Sequence, residues 1–205
     1  MKPKFALTLS FDGISLLHRA AGGWRLVGEV ALDGPDLGAA LAGLREKALK
    51  LEPGGITTKL VIPNEQIRYD TIERVPTDEI ERDIMVRAAL DGATPYPLDA
   101  LAYDTTVEGG RLHIAVVARE TLAEAEAFAV EHRFDPVSFV AIPGEHAFTG
   151  EPFFGPTEHA RSLSGVDRVE ADGIAVVVIG PAKIPGVAAE PEPVQVPPPA
   201  PEPPP

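Results

Sequence analysis

Residues 5–19 read FALTLSFDGISLLHR, and this stretch predicts how the chain begins to fold. Apolar side chains alternate with small or polar ones on both sides of Asp12-Gly13, as expected of two half-buried strands. An Asp-Gly pair between alternating runs is a strong hairpin signal, because both residues tolerate the positive φ of a type I′ turn. The stretch therefore predicts an antiparallel hairpin with Asp12 and Gly13 at its turn.

The residues that follow extend this hairpin and then change their period. GWRLVGEVAL at 23–32 predicts a third strand, which completes an antiparallel meander. From Pro35, which suits the first position of a helix, apolar residues return at every third or fourth position. That stripe consists of Leu37, Leu41, Leu44, Ala48 and Leu51. Residues 57–63 predict a buried strand and 66–75 a further extended segment, so 1–75 predicts the order βββαβ.

Residues 76–143 form a second block, with a different order of predicted elements. Thr77 is a good N-cap for a helix, and acidic residues fill its first turn. Ile80, Ile84 and Ala88 form an apolar stripe on this helix, and Gly92 ends it. Strands at about 100–108 and 111–118 flank a Gly-Gly hairpin, and a helix and a closing strand follow. The predicted order is αββαβ.

The C-terminal part has a different composition. Residues 144–180 are rich in turn residues and include a candidate hairpin around Asp172-Gly173. Residues 181–205 hold 11 of the 22 prolines, which lack the amide hydrogen that helices and central strands need. We expect a disordered, extended, solvated tail there. It would serve as a semi-rigid spacer or as a docking peptide for a proline-recognition domain.

Composition and charge exclude several classes of function. The formal net charge is −13, from 31 acidic against 18 basic residues, so nucleic acid is not expected as a partner. The absence of cysteine excludes disulfides, a thiolate nucleophile and cysteine-ligated metals. The five histidines are scattered, and no metal site is expected from them. The longest apolar run, at 174–180, is strand-sized, so we expect a cytoplasmic chain without direct membrane insertion.

The order of the elements carries a resemblance to a known family. A βββαβ start followed by αββαβ, together with ATPYPLDALAYD (93–104), LHIAVVARETLAEAEAFA (112–129) and DPVSFVAIP (135–143), resembles the actin-like ATPase superfamily. The nearest branch is bacterial and includes the PilM-type pilus assembly protein, the type II secretion L protein and the actin-like cell-division protein. The resemblance implies a mixed α+β or α/β fold with a ribonuclease-H-like first subdomain and a small second subdomain.

The resemblance also implies a nucleotide site at the first hairpin. In that family an aspartate ends the first strand, and the turn after it holds nucleotide phosphates beside magnesium; the matching residues here are Asp12, Gly13 and Ser15. Asp12 and Gly13 are adjacent, whereas the family has Asp-x-Gly, and the second phosphate motif is missing. Three interpretations remain open: a plain turn, a degenerate site that binds ATP and Mg²⁺ without hydrolysis, and a working ATPase.

The function expected from these observations is a non-catalytic scaffold without a cofactor. It would be the N-terminal cytoplasmic part of a longer chain, in a secretion, pilus or cell-division assembly at the inner face of the membrane. Within the resembled branch the small subdomain makes protein contacts, and homodimers are common. The candidate partner-binding residues are Tyr96, Leu98, Phe153 and Phe154. The alternative function is a nucleotide-binding module that needs a second lobe.

Overall fold

The computed structural model of the protein describes residues 2–163, 169–173 and 175–186. The strands of these residues form two sheets. In chain order the helices and strands are β1 (Phe5–Leu9), β2 (Gly13–Ala20), β3 (Gly23–Ala31), α1 (Leu37–Leu51), β4 (Thr58–Val61), β5 (Ile67–Ile72), α2 (Glu79–Leu90), β6 (Leu101–Glu108), β7 (Arg111–Ala118), α3 (Arg119–Glu131), β8 (Pro136–Val140), β9 (Phe153–Pro156), α4 (Glu158–Ser162) and β10 (Val178–Pro181).

The large sheet has the strand order β10-β3-β2-β1-β4-β8-β9. Its strands β1, β2 and β3 form the predicted antiparallel meander, in which Leu7 lies opposite Leu16 and Ile14 opposite Val30. β4 runs parallel to β1, and β8 runs parallel to β4. β9 is antiparallel to β8, and β10 is parallel to β3. The predicted mixed fold class with a βββαβ start is therefore confirmed.

The small sheet is antiparallel, with the order β5-β7-β6. Membership of the two sheets does not follow the boundary between the blocks 1–75 and 76–143. β5 belongs to the first block by position but pairs with β7, and β8 closes the second block but lies beside β4. All five residues of β8 are buried, as befits a strand inside a sheet with a parallel neighbour. In β5 only Ile67 is buried, which suits the edge of the small sheet.

The large sheet carries two different faces because successive side chains of a strand point to opposite sides. The helix-covered face presents Leu7, Leu16 and Leu60, which pack with Leu41 and Leu44 of α1 in the main core. The second face presents a smaller apolar cluster. Its buried members are Ala6, Leu17, Trp24, Val61, Val140 and Val176. Residues that follow β8 cover part of this second face.

The first hairpin forms as predicted, but its turn is of another type. β1 ends at Leu9 and β2 begins at Gly13, so the loop spans residues 10–12, and neither Asp12 nor Gly13 has a positive φ. The type I′ geometry expected from Asp-Gly is therefore wrong. Gly13 opens β2 instead, where a Cβ atom would lie 2.6 Å from the carbonyl oxygen of Val30. Close packing against β3, and not backbone strain, requires glycine at this position.

Both early helices begin one or two residues later than the sequence suggests. Asp36 caps α1 by accepting a hydrogen bond from Ala39 N at 2.9 Å, so Pro35 precedes the helix and does not open it. Asp78 caps α2 in the same way, through Glu81 N at 2.8 Å. The expected cap Thr77 instead donates to the Glu81 carboxylate. An aspartate next to each expected start competes successfully for the capping position.

The C-terminal predictions fall partly on residues that are not described. The first arm of the hairpin predicted around Asp172-Gly173 includes 166–168, which lie outside the described residues. Its second arm contains a strand, β10, which pairs with β3. Of the tail predicted at 181–205, residues 187–205 lie outside the described residues.

Candidate functional site

The residues of the expected nucleotide site lie together at the end of the first hairpin. Asp12 is exposed at the tip, beside Phe11. The amide of Gly13 donates to Ser10 Oγ at 3.1 Å, and Ser15 Oγ donates to the Glu29 carboxylate at 3.0 Å. Two groups that would face a phosphate thus have partners within the chain, and one of these partners is an anion that would repel phosphate.

Histidines and carboxylates do not converge elsewhere in the part of the chain that the structure describes. Those residues contain no group of three or more potential metal ligands. The histidines have separate neighbours: His18 pairs with Glu52, His113 with Thr71 and His159 with Asp135, while His146 stacks on Tyr69 and His132 lies against Phe128. The ring of Tyr69 is half-buried, which raises its pKa to about 12. These contacts are structural in character.

The four candidate partner-binding residues have different environments. Tyr96 is exposed at the rim of a groove of about 240 Å³ at one end of the small sheet. Leu98 is partly buried against the apolar cluster that lies between α2 and the small sheet. Phe153 is partly buried against the second face of the large sheet. Phe154 is 8% exposed and belongs to the main core, so it cannot serve as a surface anchor. The β-strand pairing of β9 with β8 places it inside the core.

Helix α2 presents an apolar stripe on the side opposite to the one that packs. Val86 and Leu90 face the small sheet, where they pack with Leu112, Ile114 and Val116. Ile80 is 73% exposed and Ile84 61% exposed, and Ala88 one turn further is exposed as well. The predicted stripe is present, and it faces away from the core. We refer to Ile80, Ile84 and Ala88 as the outer stripe.

Polar contacts hold α2 in this rotation. The hydroxyl of Tyr103, on β6, donates to Asp83 Oδ1 at 2.6 Å, and Arg87 Nε donates to Asp83 Oδ2 at 2.7 Å. The hydrogen bond from Tyr103, then that from Arg87, lowers the pKa of Asp83. At the start of the helix, Arg74 and Thr77 both bind the Glu81 carboxylate. Turning the outer stripe inward would break the bonds from Tyr103 and Arg74, which lie outside the helix, and would expose Val86, so the exposure of the isoleucines is built into the fold.

A second group of functional interest is buried on the second face of the large sheet. Lys59, on β4, is 1% exposed, and its Nζ atom donates to both carboxylate oxygens of Glu151, at 2.6 and 2.9 Å. The same atom lies 3.4 Å from Asp172, which also pairs with Arg19. Both cations lie over the ring of Trp24, at 4.5 and 4.7 Å from its centroid. We refer to these five residues as the buried charge cluster.

The electrostatics of this cluster follow from its burial. Desolvation raises the pKa of Glu151 to about 7, although the ammonium of Lys59 acts in the opposite direction. Glu151 and Asp172 both come from the segment after β8, whereas Lys59 and Arg19 come from the sheet. The cluster therefore fastens that segment to the second face. Its charges are matched within the chain, so it has the character of a structural tie and not of a reactive centre.

Sequence reasoning identified neither the outer stripe as a surface nor the buried charge cluster. The sequence of α2 did contain a signal for the outer stripe. The helix carries two apolar stripes, Ile80/Ile84 and Val86/Leu90, whereas a helix with one packed face needs only one. A lone lysine in the strand TTKLVIP was the corresponding signal for the cluster.

Comparisons with known proteins bear on the fold. No protein-family model matches the sequence, and no curated protein matches it. One similar structure is the cytoplasmic domain of EpsL, an inner membrane component of the type II secretion system of Vibrio cholerae: 12% identity, TM-score 0.46, 66% of this chain and 55% of that one. Another is the PilM-PilN type IV pilus biogenesis complex: 19% identity, TM-score 0.49, 69% of this chain and 48% of that one.

The matched region spans about half the length of each of these proteins. At such identities the likeness describes the fold alone. Among the described helices, none is long and apolar enough to span a bilayer.

Proposed function

We propose that the chain is a non-catalytic protein-interaction module that docks through the outer stripe of α2. The observation that carries the proposal is the exposure of Ile80 and Ile84, one helical turn apart on a helix whose other side is already packed. Adjacent apolar residues on one helix face form a continuous patch, and such patches typically mark interaction sites. A partner that covers the stripe would bury two isoleucine side chains, each worth roughly 1.5–3 kcal/mol when fully removed from water.

The proposal extends to the setting in which the partner is found. By resemblance to the secretion and pilus proteins named above, we propose that the chain works in the cytoplasm, as part of a membrane-associated assembly and of a longer polypeptide. The outer stripe lies on the helix that begins the second block of the sequence, where the resemblance places protein contacts.

Site-specific photo-crosslinking in the native cell tests this proposal. A photoreactive residue at Ala88, within the stripe, should capture a component of a secretion, pilus or cell-division assembly. The matched control places the same residue at Leu49, which is 40% exposed on α1. The double substitution I80S/I84S should abolish the capture at position 88. Equal capture at positions 49 and 88, or capture that survives I80S/I84S, would contradict the docking role.

We further propose that the module acts without bound nucleotide. Supporting this, the amide of Gly13 and the hydroxyl of Ser15 have partners within the chain. Titration calorimetry with ATP and Mg²⁺, at protein concentrations able to detect sub-millimolar affinity, should give no binding heat. Binding that is lost in Asp12→Ala would overturn this part of the proposal and establish the alternative nucleotide-binding module.

A further inference from the structure

We propose that the outer edge of β10 receives a β-strand from a different protein, which extends the large sheet through main-chain hydrogen bonds at Val178. This edge is separate from the outer stripe of α2, so the inference goes beyond the proposed function. β10 stands at one end of the seven-stranded order, and among the described residues no strand pairs with its outer side. An open edge of this kind can be extended by a further strand.

The register of β10 shows which of its main-chain groups face outward. Val178 lies opposite Trp24 in a parallel pair, and Trp24 N donates to the carbonyl oxygen of Val177 at 2.8 Å. Successive residues of a strand direct their N–H and C=O groups to alternate sides, so those of Val178 point away from β3. A strand laid beside β10 would therefore find a donor and an acceptor on one residue, as in a hydrogen-bonded pair of antiparallel strands.

The side chains at this edge favour a strand over a helix as the occupant. Val177, Val178 and Ile179 are 58%, 53% and 41% exposed. Successive side chains of a strand point to opposite faces, so the exposed apolar surface lies on both faces of the sheet. An added strand would pack beside all three residues, and β-branched side chains form favourable cross-strand pairs. A helix could cover only one of the two faces.

The protection of this edge is confined to one end. Natural edge strands avoid unwanted pairing through bulges, prolines and charged residues. In β10 the register shifts between Val178 and Gly180, Pro181 lacks an amide hydrogen, and Lys183 is exposed just beyond the strand. Residues 175–178 contain neither a charge nor a proline. These devices limit the length of the open edge without closing it, which suits one short partner strand in one register.

The same devices favour a foreign strand over a second copy of this chain. In a two-fold antiparallel pairing centred on Val178, Gly180 and Pro181 of each copy would lie opposite residues 176 and 175 of the other. The bulge and the proline would then disturb both ends of the ladder. A foreign strand meets them at one end only. Two copies that each carry a net charge of −13 would also repel one another.

Charge describes the partner strand further. Arg25, on β3, lies opposite Gly180, and its guanidinium donates to the carbonyl oxygen of Pro181 at 3.2 Å. Lys183 adds a second basic residue at the same end of β10. Opposite charges on neighbouring strands stabilise their pairing. We therefore expect an extended segment with apolar residues beside Val178 and a carboxylate near Arg25 and Lys183.

Photo-crosslinking in the native cell, combined with two substitutions of Val178, tests this inference. A photoreactive residue replaces Val177, and the cross-linked peptide is identified by mass spectrometry. Val178→Pro removes only the outward amide hydrogen, and an edge strand tolerates proline at such a position. Val178→Thr keeps the amide and the branched shape. Capture of an extended segment of another protein should fall by about fivefold or more in Val178→Pro and persist in Val178→Thr.

A fluorescence control shows whether β10 stays on β3. Trp24 is the single tryptophan, is fully buried and lies opposite Val178, so its emission maximum should be unchanged in both variants. Ile179→Pro removes an amide that points toward β3 and should shift the emission to longer wavelength. If Val178→Pro shifts it as well, Val178→Lys replaces that variant, because a lysine on an edge blocks strand addition while keeping the amide.

The outcomes distinguish this inference from its alternatives and from the proposed function. Capture at position 177 that survives Val178→Pro with unchanged emission, or that survives Val178→Lys, would overturn strand addition. Capture no stronger than at Leu49 would overturn it as well. Capture of this same chain would overturn the foreign strand and assign the edge to a second copy. The docking role of the outer stripe is tested separately at position 88, so each proposal can fail without the other.

Discussion

Apolar side chains are usually buried and charged side chains exposed. The outer stripe of α2 and the buried charge cluster are opposite exceptions to this rule. On α2 two isoleucines face solvent, at 73% and 61% exposure, whereas on β4 a lysine is 1% exposed. A fully buried lysine is tolerated only with partners, and Lys59 has Glu151 and Asp172. The described residues of the chain offer the isoleucines no comparable cover.

This difference indicates where the chain is self-sufficient and where it is not. The cost of burying Lys59 is offset inside the molecule, so the cluster serves the fold. The outer stripe is exposed in the folded chain as in the unfolded one, so it contributes little burial to the core. A buried charge whose partners lie within the chain indicates a structural role. Exposed isoleucines that no described part of the chain covers indicate a partner.

Substitution of Lys59 should cause the largest change in the free energy of unfolding. In Lys59→Met, Glu151 is left buried without its cation, and breaking a buried ion pair in this way costs about 3–5 kcal/mol. Urea denaturation at pH 8 measures the free energy of unfolding. A cost below about 1 kcal/mol would mean that the cluster is not the compensated exception described here.

The pH dependence of stability should reveal the burial of Glu151. Its pKa in the folded protein is about 7, above the ordinary value of 4.5, so the folded state binds the proton more tightly than the unfolded state. The contribution of this group to stability is therefore full below pH 4.5 and is lost as the pH rises through 7, a change of about 3 kcal/mol.

Glu151→Gln provides the reference for this measurement, because glutamine does not titrate. Between pH 4.5 and 8, the wild-type chain should lose about 3 kcal/mol of unfolding free energy relative to Glu151→Gln, with no further relative loss above pH 8. Urea denaturation at several pH values supplies the comparison. A difference between the two proteins that stays constant with pH would rule out a raised pKa at Glu151.

The sequence determines the packed face of α1 but not that of α2. On α1 the predicted stripe is buried, with Leu41 at 1% and Leu44 at 3% exposure. α1 has a single apolar stripe, so periodicity leaves no choice. α2 has two, and periodicity cannot show that Val86 packs while Ile84 does not. Contacts across the fold decide it, among them the hydrogen bond from Tyr103 to Asp83.

The strand pairings show the same limit of prediction from local sequence. Local alternation predicts the meander of β1 to β3 because its partners are neighbours in sequence. It does not predict that β8 joins β4, since that pairing joins segments far apart in the chain. The partners of Lys59 lie 92 and 113 residues away, which is why one lysine in a predicted strand could not be assigned its ion pairs.

The packed side of α2 should be sensitive to truncation. Val86 is fully buried against the small sheet, and Val86→Ala removes two methyl groups and leaves a small cavity. We expect a loss of about 2 kcal/mol in the free energy of unfolding, measured by urea denaturation. A loss no greater than that of an exposed substitution would show that α2 is not held to the sheet by this face.

The outer stripe should give the smallest change in stability and the clearest change in binding. Serine and isoleucine have similar helix propensities, and Ile80 and Ile84 make few contacts to lose, so I80S/I84S should change the free energy of unfolding by less than about 0.5 kcal/mol. The same variant should lose the photo-crosslinking capture at position 88 in the native cell. Val86→Ala is the matched control, since it changes the same helix but leaves the stripe intact and should keep the capture at position 88. A large loss of stability in I80S/I84S would mean that the isoleucines are covered within the chain. The outer stripe would then resemble the buried charge cluster and would no longer indicate a partner.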